Sequence, residues 1–228
     1  YRMPRVNQSQ VNPKIGFSFA NGLRTLLRQD PDIMMVGEIR DNETAEIAVH
    51  SAMTGHLVLS TLHTNDAVTS LPRLTHMGVP SYLVATTTNV VIGQRLVRKI
   101  CPHCIVSYAL TKQALQEIEK QVVFSHILDS LEKHGAIISR QQNVDTLLFF
   151  RGRGCKLCGE TGYKGRIGIY EILEVTPKIR DAIMTNSSAP DIVHIAIEQN
   201  MISMLQDGFI KAKNGITTID EVLRVTKE

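Results

Sequence analysis

The chain has 228 residues, enough for one large or two small domains, and its 43% hydrophobic content allows a real core. A formal net charge of +3, with no basic stripe interleaved with aromatics, gives no footprint for nucleic acid. No apolar run approaches bilayer-spanning length, and YRMPRVNQSQ at the start lacks a signal-peptide core, so the sequence reads as a cytoplasmic protein with four reduced cysteines.

Tyr1–Gly16 holds two prolines among polar residues and reads as loop and strand fragments. Ser18 is placed to cap a helix over Phe19–Gln29, with Leu23, Leu26 and Leu27 inward. Arg24 and Arg28, four apart, share one face of that helix. They are either a solvated basic stripe or a pair of cations close to phosphate.

Asp30-Pro31 signals a turn. Ile33–Val36 is a continuous apolar run of the kind buried on both faces of a parallel sheet. It stops at Gly37-Glu38-Ile39-Arg40-Asp41. Ligands of open α/β sheets sit beyond the carboxyl ends of the strands. A carboxylate there can meet Mg²⁺ or orient a water, as a Walker-B element does. The plainer reading is a strand followed by a charged turn.

The next segment favours the first reading. Asp41 or Asn42 can cap a helix with Ala45, Ala48, Val49, Ala52 and Met53 on one face, and Gly55 can stop it. Gly55–Thr61 then reads as a second buried strand, ending in Leu62-His63-Thr64-Asn65. A strand–helix–strand unit puts both strand ends on one edge, so Glu38 and His63 are expected to approach one ligand.

LRTLLRQDPDIMMVGEIRDNETAEIAVHSAMTGHLVLSTLHTNDA closely resembles the hexameric secretion ATPases of type II secretion and type IV pilus assembly. The resemblance runs from Pro13 to Val225 apart from a variable middle. It implies an α/β fold: the C-terminal half of a RecA-like P-loop NTPase core, an inserted tetracysteine zinc module and a C-terminal helical domain. It implies that Glu38 is the Walker-B glutamate activating the attacking water. His56 and His63 match the two histidines of the family's His box, and His63 is expected to sense the γ-phosphate. Arg24, Arg28, Arg40 and His56 become candidates for nucleotide binding, with Arg40 and Asp41 organising the strand end. The implied ligands are ATP, Mg²⁺ and Zn²⁺. The implied partners are further copies of the chain in a homo-hexamer and the cytoplasmic face of an inner-membrane platform.

The 228 residues contain no G-x-x-x-x-G-K-[ST], and Tyr1 is not an initiator Met. The resemblance places a P-loop upstream, so the expectation is a C-terminal part that is inactive alone. The expected domains are 1–98 (ATPase half), 99–165 (zinc module with a helical insert) and 166–228 (return strand and helical domain).

Past Thr61, Asn65 or Asp66 can cap a helix carrying Val68, Leu71 and Leu74, with Pro72 threatening its continuity. Tyr82–Lys99 reads as another helix with a basic end. Cys101-Pro102-His103-Cys104 and Cys155-Lys156-Leu157-Cys158 form two C-x-x-C pairs, which can close a tetrahedral Cys₄ zinc site. Fifty residues, 105 to 154, separate them. Redox pairs and buried thiols are the alternatives, and His103 is an outside candidate ligand. Between the pairs, Thr111 can cap a helix running to Lys133, and Asp145–Phe150 reads as a strand.

Ile167–Val175 reads as a strand, followed by helices from Pro190, over Met201–Lys213, and beyond Thr218, where Thr218 and Glu221 have capping-box spacing. Two rivals remain. One is a non-catalytic zinc-containing assembly module, which suits the chain in isolation. The other is a different P-loop motor such as a nucleic-acid translocase, which would need the basic or aromatic track that is absent.

Overall fold

In the computed structural model, which describes residues 3–139 and 147–226, the first helix starts at its predicted cap. The Asn21 N–H donates to the Ser18 hydroxyl at 3.2 Å, and α1 runs over Phe19–Leu27 with Ala20 and Leu23 buried. Strand β1, Ile33–Val36, follows. Asp41 then caps α2, Asn42–Met53, accepting from the Thr44 N–H at 2.8 Å. Gly55, at φ 97°, turns the chain out of that helix into β2, Leu57–Ser60.

Strands β1 and β2 pair in parallel, Ile33 beside Leu57 through Val36 beside Ser60. Helix α1 packs on β1 and α2, and α2 packs on β2. Ala45, Ala48 and Val49 are buried as predicted, but Met53 is exposed. The expectation that Ile33–Val36 is buried on both faces is corrected. Met34 and Val36 are 3% exposed, whereas Ile33 and Met35 are 62% and 63% exposed. Side chains alternate across a pleat, and register partners share a face. Ile33, Met35, Leu57 and Leu59 therefore line one open apolar face.

Helix α3 spans Ser70–His76, so Pro72 falls in the first turn, where its missing N–H breaks no intrahelical bond. The expected kink does not arise. The predicted helix over Tyr82–Lys99 is also corrected. Helix α4 covers only Ser81–Thr87, and Val90–Ile100 is strand β3. Exposure alternates residue by residue from Val90 to Val97, and the β-branched Val90, Val91 and Ile92 suit a pleat better than a helix.

Strand β4, Ile105–Ala109, precedes α5, Lys112–Glu119, and α6, Phe124–Lys133. The single helix predicted here is broken at residues 120–123, where β-branched Val122 and Val123 lower helix propensity. Strand β5 is Leu148–Gly152; Asp145 and Thr146 of the predicted strand lie outside the described residues. Strand β6 is Tyr163–Glu174, and it pairs with β3. Four capped helices complete the chain: α7, Pro177–Met184; α8, Ala189–Glu198; α9, Met204–Lys213; and α10, Ile219–Thr226.

Packing sorts these elements into two compact units that cut across chain order. One holds Tyr1–Val91 and Leu173–Gln199; the other holds Ile92–Ile172 and Asn200–Glu228. In the first, α4 packs on α7 and α7 on α8. In the second, α6, β5, α9 and α10 share one core that includes Ile127, Leu131, Phe149, Phe209 and Val222. Phe124 meets Phe209 edge to face at 6.2 Å.

The second unit also holds a buried ionic network. Glu221 is 1% exposed. Its carboxylate accepts from Arg98 Nη2 at 2.7 Å, the Arg98 backbone N–H at 2.9 Å, and Arg224 Nε and Nη2 at 2.8 and 2.9 Å. Arg98 stacks 4.1 Å over the Tyr163 ring, whose hydroxyl lies 3.0 Å from that of Thr218. The predicted capping box is thus half formed. Thr218 accepts from the Glu221 N–H at 3.2 Å, but the Glu221 side chain turns to the two arginines instead.

Burial works against the charged form of Glu221, but the arginine hydrogen bonds outweigh it and hold the carboxyl at about 2. Its ordinary value is higher, so the network's contribution is full above about pH 4.5 and is lost as pH falls towards about 2. Glu221→Gln should lower stability by roughly 3 kcal/mol near neutral pH, because it leaves two guanidinium groups facing an amide. Denaturant titrations should show the gap from the parent chain closing as pH falls from about 4.5 to about 2. A gap that stays constant with pH would show that the carboxylate charge is not what holds α10.

Candidate functional site

The site lies beyond the carboxyl ends of β1 and β2. Parallel pairing starts both following loops from the same edge, and the loops are tied together. The Ile39 N–H donates to the Thr61 carbonyl at 3.0 Å, and the Thr61 hydroxyl donates to the Gly37 carbonyl at 2.7 Å. Glu38 lies between the two tied residues. Its Oε2 is 2.7 Å from His63 Nε2 and 2.7 Å from Arg40 Nε. Against a carboxylate acceptor, His63 must carry its proton on Nε2. The hydrogen bonds from His63 and Arg40 hold the Glu38 carboxyl below its ordinary value and so keep it ionised. The Glu38 side chain is 22% exposed and that of His63 72%, so both are open to solvent and to a ligand.

The other candidates are placed elsewhere in the same unit. Arg24 Nη2 is 2.7 Å from Glu43 Oε1, an exposed pair joining α1 to α2. Arg28 is the exposed C-cap of α1. His56 Nδ1 is 2.9 Å from the Ser51 carbonyl and 3.1 Å from the Thr54 hydroxyl, at the amino end of β2. A four-residue strand spans about 13 Å, so His56 and His63 sit at opposite ends of β2. Asp41 is committed to the α2 cap. Thr61 was not singled out from the sequence, because its partner lies 24 residues away.

The second unit holds the cysteines. Strands β4 and β5 pair antiparallel from Ile105 beside Gly152 to Ala109 beside Leu148. That ladder brings the two ends of the fifty-residue spacer together, and the Arg153 N–H donates to the Cys104 carbonyl at 2.9 Å. Each C-x-x-C pair follows or precedes the ladder directly. The Sγ atoms of Cys101, Cys104, Cys155 and Cys158 all lie within 4.8 Å of one another. Cys101–Cys155 and Cys104–Cys158 are 3.9 Å apart and Cys155–Cys158 is 3.6 Å. A tetrahedral Zn–S₄ centre with bonds of about 2.3 Å has sulfur–sulfur edges of about 3.8 Å. The sulfurs are therefore spaced for a four-coordinate metal, and they are too far apart for a disulfide.

The backbone favours thiolate at Cys158. The Cys155 and Gly162 N–H groups donate to Cys158 Sγ at 3.2 and 3.3 Å. Although burial opposes ionisation, these bonds bring the Cys158 thiol down to about 6. Burial and the neighbouring sulfurs push Cys104 up to about 11. Such N–H···S bonds also orient ligands around a metal. Among the described residues no helix is long and apolar enough to cross a membrane.

The chain is 45% identical over its full length to the type IV pilus assembly ATPase PilB of Thermus thermophilus, of which it spans 24%. It is 42% identical over its full length to the type II secretion system protein E of Dickeya dadantii, of which it spans 41%. The chain thus spans between about a quarter and two-fifths of these relatives. Among solved structures, the pilus retraction motor PilT with bound ADP superposes with a TM-score of 0.58 at 25% identity, over 92% of this chain and 44% of that one. The family described as Type II/IV secretion system protein matches residues 1–224, and the chain belongs to that family.

Proposed function

We propose that this chain is the C-terminal part of a motor ATPase that couples ATP hydrolysis to pilus or pseudopilus assembly. The observation that carries the proposal is the meeting of Glu38 and His63 at 2.7 Å beyond two parallel strand ends. Relatives named as pilus-assembly and secretion ATPases support it. Residues 1–98 would be the C-terminal half of a RecA-like core, residues 166–228 would form the return strand and helical domain, and the intact protein would act as a homo-hexamer. Membrane association would come through a platform partner at the cytoplasmic face.

In this reading a water attacks the γ-phosphoryl group of ATP, and the bond to the β–γ bridging oxygen breaks. The transition state needs positioning and charge neutralisation more than covalent help. Glu38 is suited to orient the water, because an ionised carboxylate accepts its hydrogen bonds. A carboxyl held below its ordinary value is a poor final proton store, so the proton is better left on the phosphate. His63, with its proton on Nε2, can donate towards phosphate oxygen if it leaves Glu38. Arg40 steadies the carboxylate from the other side. Mg²⁺ bound with the nucleotide would supply further charge neutralisation. Arg24 would meet nucleotide only if its pair with Glu43 opens.

The four-cysteine cluster would hold Zn²⁺ through Cys101, Cys104, Cys155 and Cys158, with His103 left outside. Its role would be structural, since four sulfurs leave no open coordination position. Purified chain should carry about one Zn²⁺ per molecule. Cys155→Ser should release the metal and raise amide exchange around residues 99–105 and 150–163. Protein purified under reducing conditions without zinc would contradict this assignment.

In a form of the protein that carries a P-loop, Glu38→Gln should retain nucleotide binding and lower kcat by roughly 100-fold or more, because the amide keeps the shape but not the charge. Unchanged turnover would remove Glu38 from the mechanism. The 228-residue chain alone should release no phosphate from MgATP above background, since a phosphate cradle is part of the reaction. Steady turnover by this chain would point to a cradle within it.

A further inference from the structure

We propose that Thr61 is the positioning residue of this site, a clasp that fixes the Glu38 carboxylate against His63. The proposal deepens, and rests on, the reading of Glu38 as the water-orienting group. The ladder between β1 and β2 ends at Val36 beside Ser60, and both chains leave it as loops. Two loops of this kind have no inherent reason to stay together. Thr61 is the first residue past β2, and it bonds to both neighbours of Glu38. Its carbonyl accepts from the Ile39 N–H at 3.0 Å, and its hydroxyl donates to the Gly37 carbonyl at 2.7 Å.

The two bonds differ in what they fix. The backbone bond extends the pairing beyond the strands and survives any substitution at residue 61. The hydroxyl bond depends on the side chain alone. Together they hold the backbone on each side of Glu38, so the carboxylate leaves from a fixed point. His63 is two residues further along the chain that makes both bonds. The position of His63 relative to Glu38 is therefore set through one residue.

The remaining contacts at the site are less constraining. Arg40 also binds Oε2 of Glu38, but its side chain is long and 66% exposed, so holding that contact costs it rotamer freedom. His63 is 72% exposed and is no firmer an anchor. A short β-branched side chain bonded to backbone has far less freedom. Phosphoryl transfer is sensitive to such placement, since a misplacement of about 1 Å can cost roughly 100-fold.

The test compares Thr61→Val, which removes the hydroxyl at nearly constant shape, with Thr61→Ser, which keeps it. In a hydrolysis-competent form carrying a P-loop, Thr61→Val should lower kcat roughly 10- to 100-fold with KM little changed, and Thr61→Ser should restore most of it. Carbon-13 NMR of the Glu38 carboxyl in the 228-residue chain gives an independent readout. Its titration midpoint should move up towards that of an ordinary glutamate in Thr61→Val and stay at the parent position in Thr61→Ser. A Glu38 midpoint unmoved by Thr61→Val, or moved equally by both variants, would overturn the clasp. A midpoint that moves as expected while kcat stays at the parent value would uphold the clasp and reject the catalytic reading of Glu38.

Discussion

Parallel pairing of two four-residue strands is the constraint on which the site depends. Parallel strands need a crossover, and α2 supplies it between Val36 and Leu57. Both carboxyl ends then fall on one edge, and the residues just beyond them meet whatever their distance along the chain. Glu38 and His63 are 25 residues apart in sequence and 2.7 Å apart in space. An antiparallel pair would have sent them to opposite ends. The same two strands leave Ile33, Met35, Leu57 and Leu59 on an open face, so the pairing rests on one covered side and its ladder.

The second unit solves a similar problem with the opposite geometry. Its cysteines are separated by a spacer that folds into helices of its own. Antiparallel pairing of β4 with β5 returns the chain to its starting point, because Ile105 lies beside Gly152. The sulfurs then reach tetrahedral spacing without a short linker. The spacer is not a passive loop, since Ile127 and Leu131 share a core with Phe209 and Val222. Glu221 adds a polar lock between β3 and α10 that the core alone would not specify.

The legible parts of the sequence are those decided locally. The caps at Ser18, Asp41 and Thr111 depend on one side chain and a nearby N–H, and the structure has each of them. Residues at strand ends were legible because a hydrophobic run gives way abruptly to charge. Val90–Ile100 was misread as helix because Val, Thr and Ala fit either period, and the pairing with β6 that decides it lies far along the chain. The same holds for burial of β1, since the number of covered faces is not a property of four residues. Thr61 and the Arg98–Glu221 pair were invisible for the same reason: their partners are 24 and 123 residues away.

The central claim is that Glu38 and His63 act as one unit. A double-mutant cycle on hydrolysis tests it most directly, with Glu38→Gln, His63→Ala and the double variant measured in a form carrying a P-loop. The account predicts strong non-additivity, with the double variant little slower than Glu38→Gln alone, because residues that share one task are lost together. Losses that simply multiply would show that the two residues work independently and that their contact is incidental.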